Sequence, residues 1–415
     1  MIAVLAPEPI RPRMAGMGIR ALELARVLAR EFETRLLVPN DVEEAREAAG
    51  DVEVADAAPG RLSHAARGAK AALVSGHAAN AWFPEVPDIP VAVDLYDPFP
   101  IENLHYARTL GEGTARHDRA TLDLALGRGD FFLCASSEQR LFYAGALFAR
   151  GRIGPSNFPE DPTLRGLLAT VPFGVPESPA SGDRAAGRRA AGVPEAGPLV
   201  LFGGIYDWYD PGLLLSAWPE VRKRVPDARL LFFESPNPDT TPQGVFEAAR
   251  NAAKAIDPEG RSIVFSPWLP YASRADLYAA SDLAISIASE GLETELAYRT
   301  RLLDSAWGGV PSVAVAGGTL AHELASAGAA IECGRDAHGL AVSLSGLLLD
   351  APRRKAMGRA ARAFAAERVW GNVAAPLRAW ARNARVDPGR LPFPAAGAAG
   401  AADRGGGSLL ARIFR

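Results

Sequence analysis

The sequence predicts an α/β protein of two doubly wound domains, each a parallel sheet with helices on both faces, and three observations predict it. Apolar runs of about five β-formers alternate with helical patterns along most of the chain. The length, 415 residues, exceeds what one hydrophobic core usually serves. The alternation stalls once, in a Pro/Gly/Ala-rich stretch, and then resumes.

The first series opens with IAVLA (2–6), an amphipathic segment from Gly18 to Arg30, and RLLVP (35–39). AALVSG (71–76), PVAVDL (90–95) and DFFLCAS (130–136) continue it, each leading into an expected helix. Val171-Pro-Phe-Gly-Val-Pro and ESPASGDRAAGRRAAGVPEAG have no apolar period and read as a linker, 179–197. The second series is PLVLFGG (198–204), ARLLFFES (228–235), SIVFSP (262–267), DLAISIA (282–288), PSVAVAGG (311–318) and AAIECG (329–334). Ala351 to Ala384 reads as two helices broken near Trp370-Gly371-Asn372. The expected domains are therefore 1–178 and 198–370, with a helix at 371–386 returning to the first. From Asp387 the chain, LPFPAAGAAGAADRGGGS included, cannot bury enough apolar surface to fold, which predicts a disordered tail, 387–415. Its last residues, SLLARIFR, form a short amphipathic patch, read as a frayed end or as a peripheral membrane or partner contact.

Composition excludes several function classes. A formal net charge of −3 gives no electrostatic reason to expect nucleic acid. Cys134 and Cys333 stand far apart, outside any zinc or disulfide spacing, which fits a reducing, cytoplasmic setting. No apolar run reaches the ~18 residues of a membrane span, and the start lacks a basic n-region. Walker, zincin and nucleophile-elbow motifs are missing, and the six histidines show no ligand spacing, so no metal or cofactor is expected.

Open α/β sheets bind ligands beyond the carboxyl ends of their strands, where Gly-rich turns enter helices. Two turns fit. Met14-Ala-Gly16-Met-Gly18-Ile-Arg20 follows the first strand, where two glycines and a helix N-terminus suit a phosphate or simply a tight turn. Gly203-Gly204-Ile-Tyr-Asp-Trp-Tyr-Asp210-Pro211 opens the second series, with Asp210 placed as an N-cap and Pro211 as the first helical residue. A third stretch, SEGLETELAYRTRLLDSAWGGVPSV (289–313), sets charges beside a buried face. A helix from Ala297 to Trp307 buries Leu302, Leu303, Ala306 and Trp307, and lets Arg301 pair with Asp304. Arg299 falls at the helix start, where a cation opposes the macrodipole and calls for an anion. That anion is an upstream glutamate (Glu290, Glu293 or Glu295) or a bound phosphate.

The two doubly wound halves, the linker and SEGLETELAYRTRLLDSAWGGVPSVAV (289–315) together resemble the GT-B glycosyltransferases. The likeness is to the family-four type of bacterial sugar transferases and spans about residues 1–385. It implies two Rossmann-like domains facing a central cleft, with C-terminal helices crossing back. It also implies transfer of a sugar from a nucleoside-diphosphate donor to an acceptor hydroxyl, such as that of a glycan, without metal and with retention. The family's ribose-binding glutamate falls on Asp304, and its sugar-facing glutamate on Glu290, with Glu293 or Glu295 as alternatives. Its diphosphate-clamping Arg and Lys are absent at the Gly203-Gly204 turn, so Arg299 and Arg301, with the backbone of Gly16, Gly18 and Gly204, become the expected replacements. Thr300 lies between those arginines. Trp268 and Leu269, in Ser266-Pro-Trp-Leu-Pro-Tyr271, match the base-holding loop. Tyr96 stands where the family often has a histidine, and the resemblance gives Asp97, which follows it, or Asp94 the task of orienting or deprotonating the acceptor hydroxyl; Asp97 reads equally as a turn residue before Pro98, and as a base it would imply inversion. The rival expectations are an epimerase or phosphorylase of the same fold and a non-catalytic partner subunit.

Overall fold

A computed structural model describes residues 1–86, 88–235 and 241–392. The SLLARIFR patch lies outside the described residues. The chain divides into two units, Met1–Phe173 with the chain from Trp370 onward, and Gly174–Val369.

In the first unit β1 (Ile2–Leu5), β2 (Thr34–Val38), β3 (Glu53–Asp56), β4 (Ala71–Ser75), β5 (Val91–Asp94), β6 (Phe131–Cys134) and β7 (Leu168–Thr170) form one sheet, ordered β3-β2-β1-β4-β5-β6-β7. Every pairing is parallel; Ile2 sits opposite Thr34 on one side and Ala71 on the other. Helices cover both faces, so the strands are apolar on both sides, and Leu5, Val74, Val93 and Phe132 are buried with Trp82. The chain order reverses between β1 and β4, which makes the carboxyl end of that pair the place where loops diverge and leave a crevice.

The second unit repeats the plan with β8 (Leu199–Gly204), β9 (Arg229–Phe233), β10 (Ile263–Ser266), β11 (Leu283–Ile287), β12 (Ser312–Val315) and β13 (Ala330–Glu332), ordered β10-β9-β8-β11-β12-β13 and all parallel. Its reversal lies between β8 and β11. Phe202, Trp218, Leu230, Phe232 and Ile285 fill its core.

Two expectations are corrected. The stretch read as a linker folds in part: Asp183 caps a helix, Arg184–Ala190, through the amides of Ala185 and Ala186. That helix packs closely in the second unit, where a Cβ on Gly187 would lie 2.1 Å from the Asp276 carbonyl oxygen. Arg188 explains why so charged a segment orders, since it donates to the carbonyls of Pro194, Ala196 and Gly197. The tail, expected to be disordered from Asp387, is anchored as far as Leu391. Asp387 meets Arg152 at 3.1 Å, Arg390 meets Asp130 at 3.1 Å, and the Leu391 amide donates to the Gly127 carbonyl. Apolar content predicted no burial here, but ion pairs and carbonyl bonds hold the strap instead.

The returning chain forms helices Trp370–Val373 and Ala375–Arg382 on the first unit. Trp380 stacks on Phe131 at 5.7 Å, and Arg378 and Arg382 both bind Glu31. Among the described residues no helix is long and apolar enough to cross a membrane.

Candidate functional site

In the second unit the reversal point is built around the end of β8. Gly203 takes φ +90°, a left-handed conformation that a side chain would strain. A Cβ on Gly204 would lie 2.7 Å from the Trp268 ring, so a glycine there lets that ring approach the backbone closely. The turn that follows carries Tyr206 stacked on Trp208 at 4.9 Å, and Tyr209 bridged to Ala288 beyond β11. Asp210 caps the Pro211–Arg224 helix by accepting from the Leu213 amide at 3.1 Å.

Arg301 closes the carboxyl end of β8. Its guanidinium donates to the carbonyls of Phe202 and Gly204, each at 2.9 Å, and lies 4.0 Å from the Tyr209 ring centre. Carbonyls at a strand end have no ladder partner, and an arginine fork satisfies two at once.

Arg299 corrects the expectation of a phosphate ligand. Its two terminal nitrogens donate to the two oxygens of Glu293, at 2.9 and 2.6 Å, and one also to Thr294 Oγ1 at 3.0 Å. Both side chains are almost wholly buried, at 3% and 2% exposure. The expected single helix is two, Leu292–Leu296 and Thr300–Gly308, with Arg299 at the N-cap position of the second. The macrodipole there does disfavour a cation, and Glu293 supplies the missing anion from within the chain. Glu293 is thereby also removed as a sugar-facing group.

The remaining candidates have different fates. Glu290 is 79% exposed and lies 3.7 Å from Arg335. Glu295 is exposed on the short Leu292–Leu296 helix. Thr300 opens the Thr300–Gly308 helix, partly buried, and Asp304 sits one turn later, also partly buried. Burial, and after it the Asp304 charge, pushes the Tyr278 hydroxyl well above its usual range. Trp268 and Leu269 are half-buried in the loop after β10.

Arg335 is the cation that sequence reasoning missed. It follows β13, pairs with Asp210 at 2.5 Å, donates to the Ala288 carbonyl, and keeps 31% of its side chain exposed. The only signal was an arginine just past a strand-like run, in Glu332-Cys-Gly-Arg335-Asp.

In the first unit the reversal point gathers residues from three loops. After β1, Ile10 is pinned to Asn40 by two 2.9 Å bonds, and Glu8 lies over the Gly16–Ala29 helix. The Gly18 amide donates to Glu8 at 3.3 Å. The helix N-terminus expected to hold a diphosphate through Gly16 and Gly18 is therefore met, at Gly18, by a carboxylate of the chain itself. Burial, reinforced by repulsion from Asp97, raises Glu8 to about 7. After β4 comes His77, with Phe99 edge-on to its ring at 5.2 Å. After β5 comes Asp97, whose Oδ2 is 4.0 Å from His77 Nδ1.

Asp94, the alternative to Asp97, is otherwise employed. Arg20, fully buried, grips both its oxygens at 2.6 and 3.0 Å and donates onward to the carbonyls of Val171 and Pro172. Tyr96 lies beneath that guanidinium at 4.4 Å. Asp97, Gly16 and Gly18 thus belong to the first unit, and the other candidates to the second. Among the described residues no three acidic, histidine or cysteine side chains converge as a metal site.

No family model matches the chain, and no curated protein does. Solved structures match along nearly its whole length. Sucrose-phosphate synthase from Thermosynechococcus elongatus superposes with a TM-score of 0.63 at 14% identity, covering 92% of this chain and 98% of that one. HepE of Anabaena, solved in complex with UDP and glucose, gives 0.65 at 16% identity, with 92% and 98% covered. WaaG, a glycosyltransferase involved in lipopolysaccharide biosynthesis, gives 0.60 at 17% identity, with 91% and 98% covered. With two parallel sheets, each reversed at its first strand, and a C-terminal segment returning to the first unit, the chain has the GT-B fold of these glycosyltransferases.

Proposed function

We propose that the protein is a glycosyltransferase that takes a sugar from a nucleoside-diphosphate donor and passes it to an acceptor hydroxyl. One observation carries the reading: the reversal point of the second unit combines the Gly203-Gly204 turn, the half-buried Trp268 ring and two guanidiniums, Arg301 and Arg335. A nucleotide sugar needs a surface for its base, backbone approach for its phosphates and cationic charge for the leaving group. Trp268 and Leu269 hold the base, Asp304 the ribose and Glu290 the sugar. Arg301 and Arg335 face the diphosphate in place of Arg299, which Glu293 neutralises. The transfer is read as metal-independent, as the resemblance implies. UDP is the first nucleotide to test, because HepE was crystallised with UDP and with UDP-glucose.

A second reading, a non-catalytic partner subunit, draws on the burial of Arg299, which leaves the clamp thin. Thermal unfolding with UDP-, GDP- and dTDP-sugars, paired with donor turnover, separates the two. A rise in Tm with at least one nucleotide and slow release of free sugar supports the transferase. No rise with any nucleotide refutes it, and a rise without turnover favours the partner subunit. Asp304→Ala is expected to weaken nucleotide binding at least about tenfold while leaving the unliganded Tm near that of the parent. Unchanged binding would remove Asp304 from the ribose.

A further inference from the structure

We propose that SLLARIFR (408–415), which lies outside the described residues, docks on the exposed stripe of the Ser137–Ala149 helix in the first unit. The inference goes beyond the transferase reading and does not depend on it.

That helix buries one face through Gln139, Tyr143 and Leu147. On the opposite side Leu141 and Phe148 are 73% and 69% exposed, more than any other large apolar side chain among the described residues. A single exposed leucine is ordinary. These two stand two helical turns apart, with the exposed Gly145 between them, the spacing at which a helix presents anchors to a partner. A Cβ on Gly145 would meet no atom within 4 Å, so the middle of the stripe is open to a side chain from outside the helix.

The path of the strap points to the occupant. Leu391 donates its amide to the Gly127 carbonyl, and its own carbonyl accepts from Arg128 at 3.0 Å. A Cβ on Gly127 would lie 3.3 Å from Arg150 Nη2 and 3.6 Å from Leu391 Cδ1, so Leu391 and Arg150 meet at one spot. Arg150 directly follows the helix and stands two residues past Phe148. The strap therefore leaves the fold at the Phe148 end of the stripe. Fifteen residues separate Pro392 from Ser408, and a Gly-rich chain of that length spans about 20 Å on average. The stripe from Phe148 to Leu141 is only about 10 Å long, at the helical rise per residue. The segment reaches it without being stretched, at an effective concentration on the order of millimolar, which a second copy at micromolar concentration does not match.

The two surfaces are also complementary in chemistry. Leu409, Leu410, Ile413 and Phe414 recur at helical spacing and supply the apolar side chains that would cover Leu141, Gly145 and Phe148. Arg412 and Arg415 are the side-chain charges of the segment, and Glu138, one turn before Leu141, sets a carboxylate at the far end of the stripe. Arg150, at the near end, is already paired with Asp123 at 2.7 Å.

The test uses the full chain with a nitroxide on Ala411→Cys in a Cys333→Ala background; Cys134, fully buried, stays unlabelled. The EPR line shape then reads the segment directly. An immobilised component that persists through a hundredfold dilution is the expected result. The ratio of docked to free label should fall at least tenfold when Leu141→Gln and Phe148→Gln are combined. Ile413→Asn, a change in the segment alone, should release the label as well and leaves the helix untouched. A wholly mobile spectrum in the parent, or an immobile one that survives both variants, overturns the docking. So does an immobile component that vanishes on dilution, which gives the stripe to a second copy. An immobile component that forms only with phosphatidylglycerol vesicles also overturns it, and gives the segment to a membrane surface.

Discussion

Arg299 shows how one residue decides between two readings that spacing leaves open. A cation at a helix start needs an anion, and a ligand phosphate and Glu293 satisfy that need equally well on paper. Burial breaks the tie, because a charge this deep must be paired within the fold whether or not a ligand is bound. Truncating one partner of such a pair strands the other, so Arg299→Ala should lower stability by about 3–5 kcal/mol. The double replacement Glu293→Leu with Arg299→Met should cost far less, since no uncompensated charge remains. Urea unfolding of both variants checks this. If Arg299→Ala unfolds at the parent midpoint, the pair carries no structural weight and Arg299 returns as a ligand candidate.

The Thr300–Gly308 helix carries Asp304 and Arg301 into place, and its far end is fixed by two glycines. Gly309 closes it in the left-handed conformation, φ +71°, the usual helix exit for a residue without a side chain. Gly308 sits so near Tyr278 that a Cβ would approach the tyrosine Cβ to 2.3 Å. That atom is tied to backbone and cannot swing aside. Gly308→Ala must therefore push the helix away from Tyr278, at a cost of about 1–3 kcal/mol for overpacking. Because Asp304 and Arg301 ride on the same helix, nucleotide stabilisation should fall along with Tm. Differential scanning fluorimetry with and without UDP reads both; a variant with parental Tm would mean that the contact relaxes freely. The pattern GGVPSV thus marked a helix end and a strand start, but spacing could not tell that its first glycine is a packing residue.

At the scale of the whole molecule, long-range order was the most legible part. Both sheets were readable because fully covered parallel strands are written as uninterrupted apolar runs. The strands that escaped, β3 (EVAD) and β7 (LAT), are short edge strands with little apolar content. The first unit's site was hardest to read. Glu8, His77 and Asp97 are scattered over ninety positions, and only the neighbouring of β1, β4 and β5 brings them together. The returning segment is a further whole-molecule feature with a consequence for stability. A chain ended after Val369 keeps all of Gly174–Val369 but loses Trp370 against Phe173 and Trp380 against Phe131. Calorimetry of that truncation should retain one transition, from the second unit, and lose or sharply lower the other. Two unaltered transitions would show that the strap is dispensable.

The same discontinuity has a consequence during synthesis. A ribosome releases Gly174–Val369 as a finished folding unit while the first unit, although its sheet was made earlier, still waits for its closing helices. Until Trp370 and Trp380 emerge, Phe173 and Phe131 lack their aromatic partners from the C-terminal segment. The half translated first is thus completed last, and in that interval its apolar surface is open to holding chaperones or to aggregation.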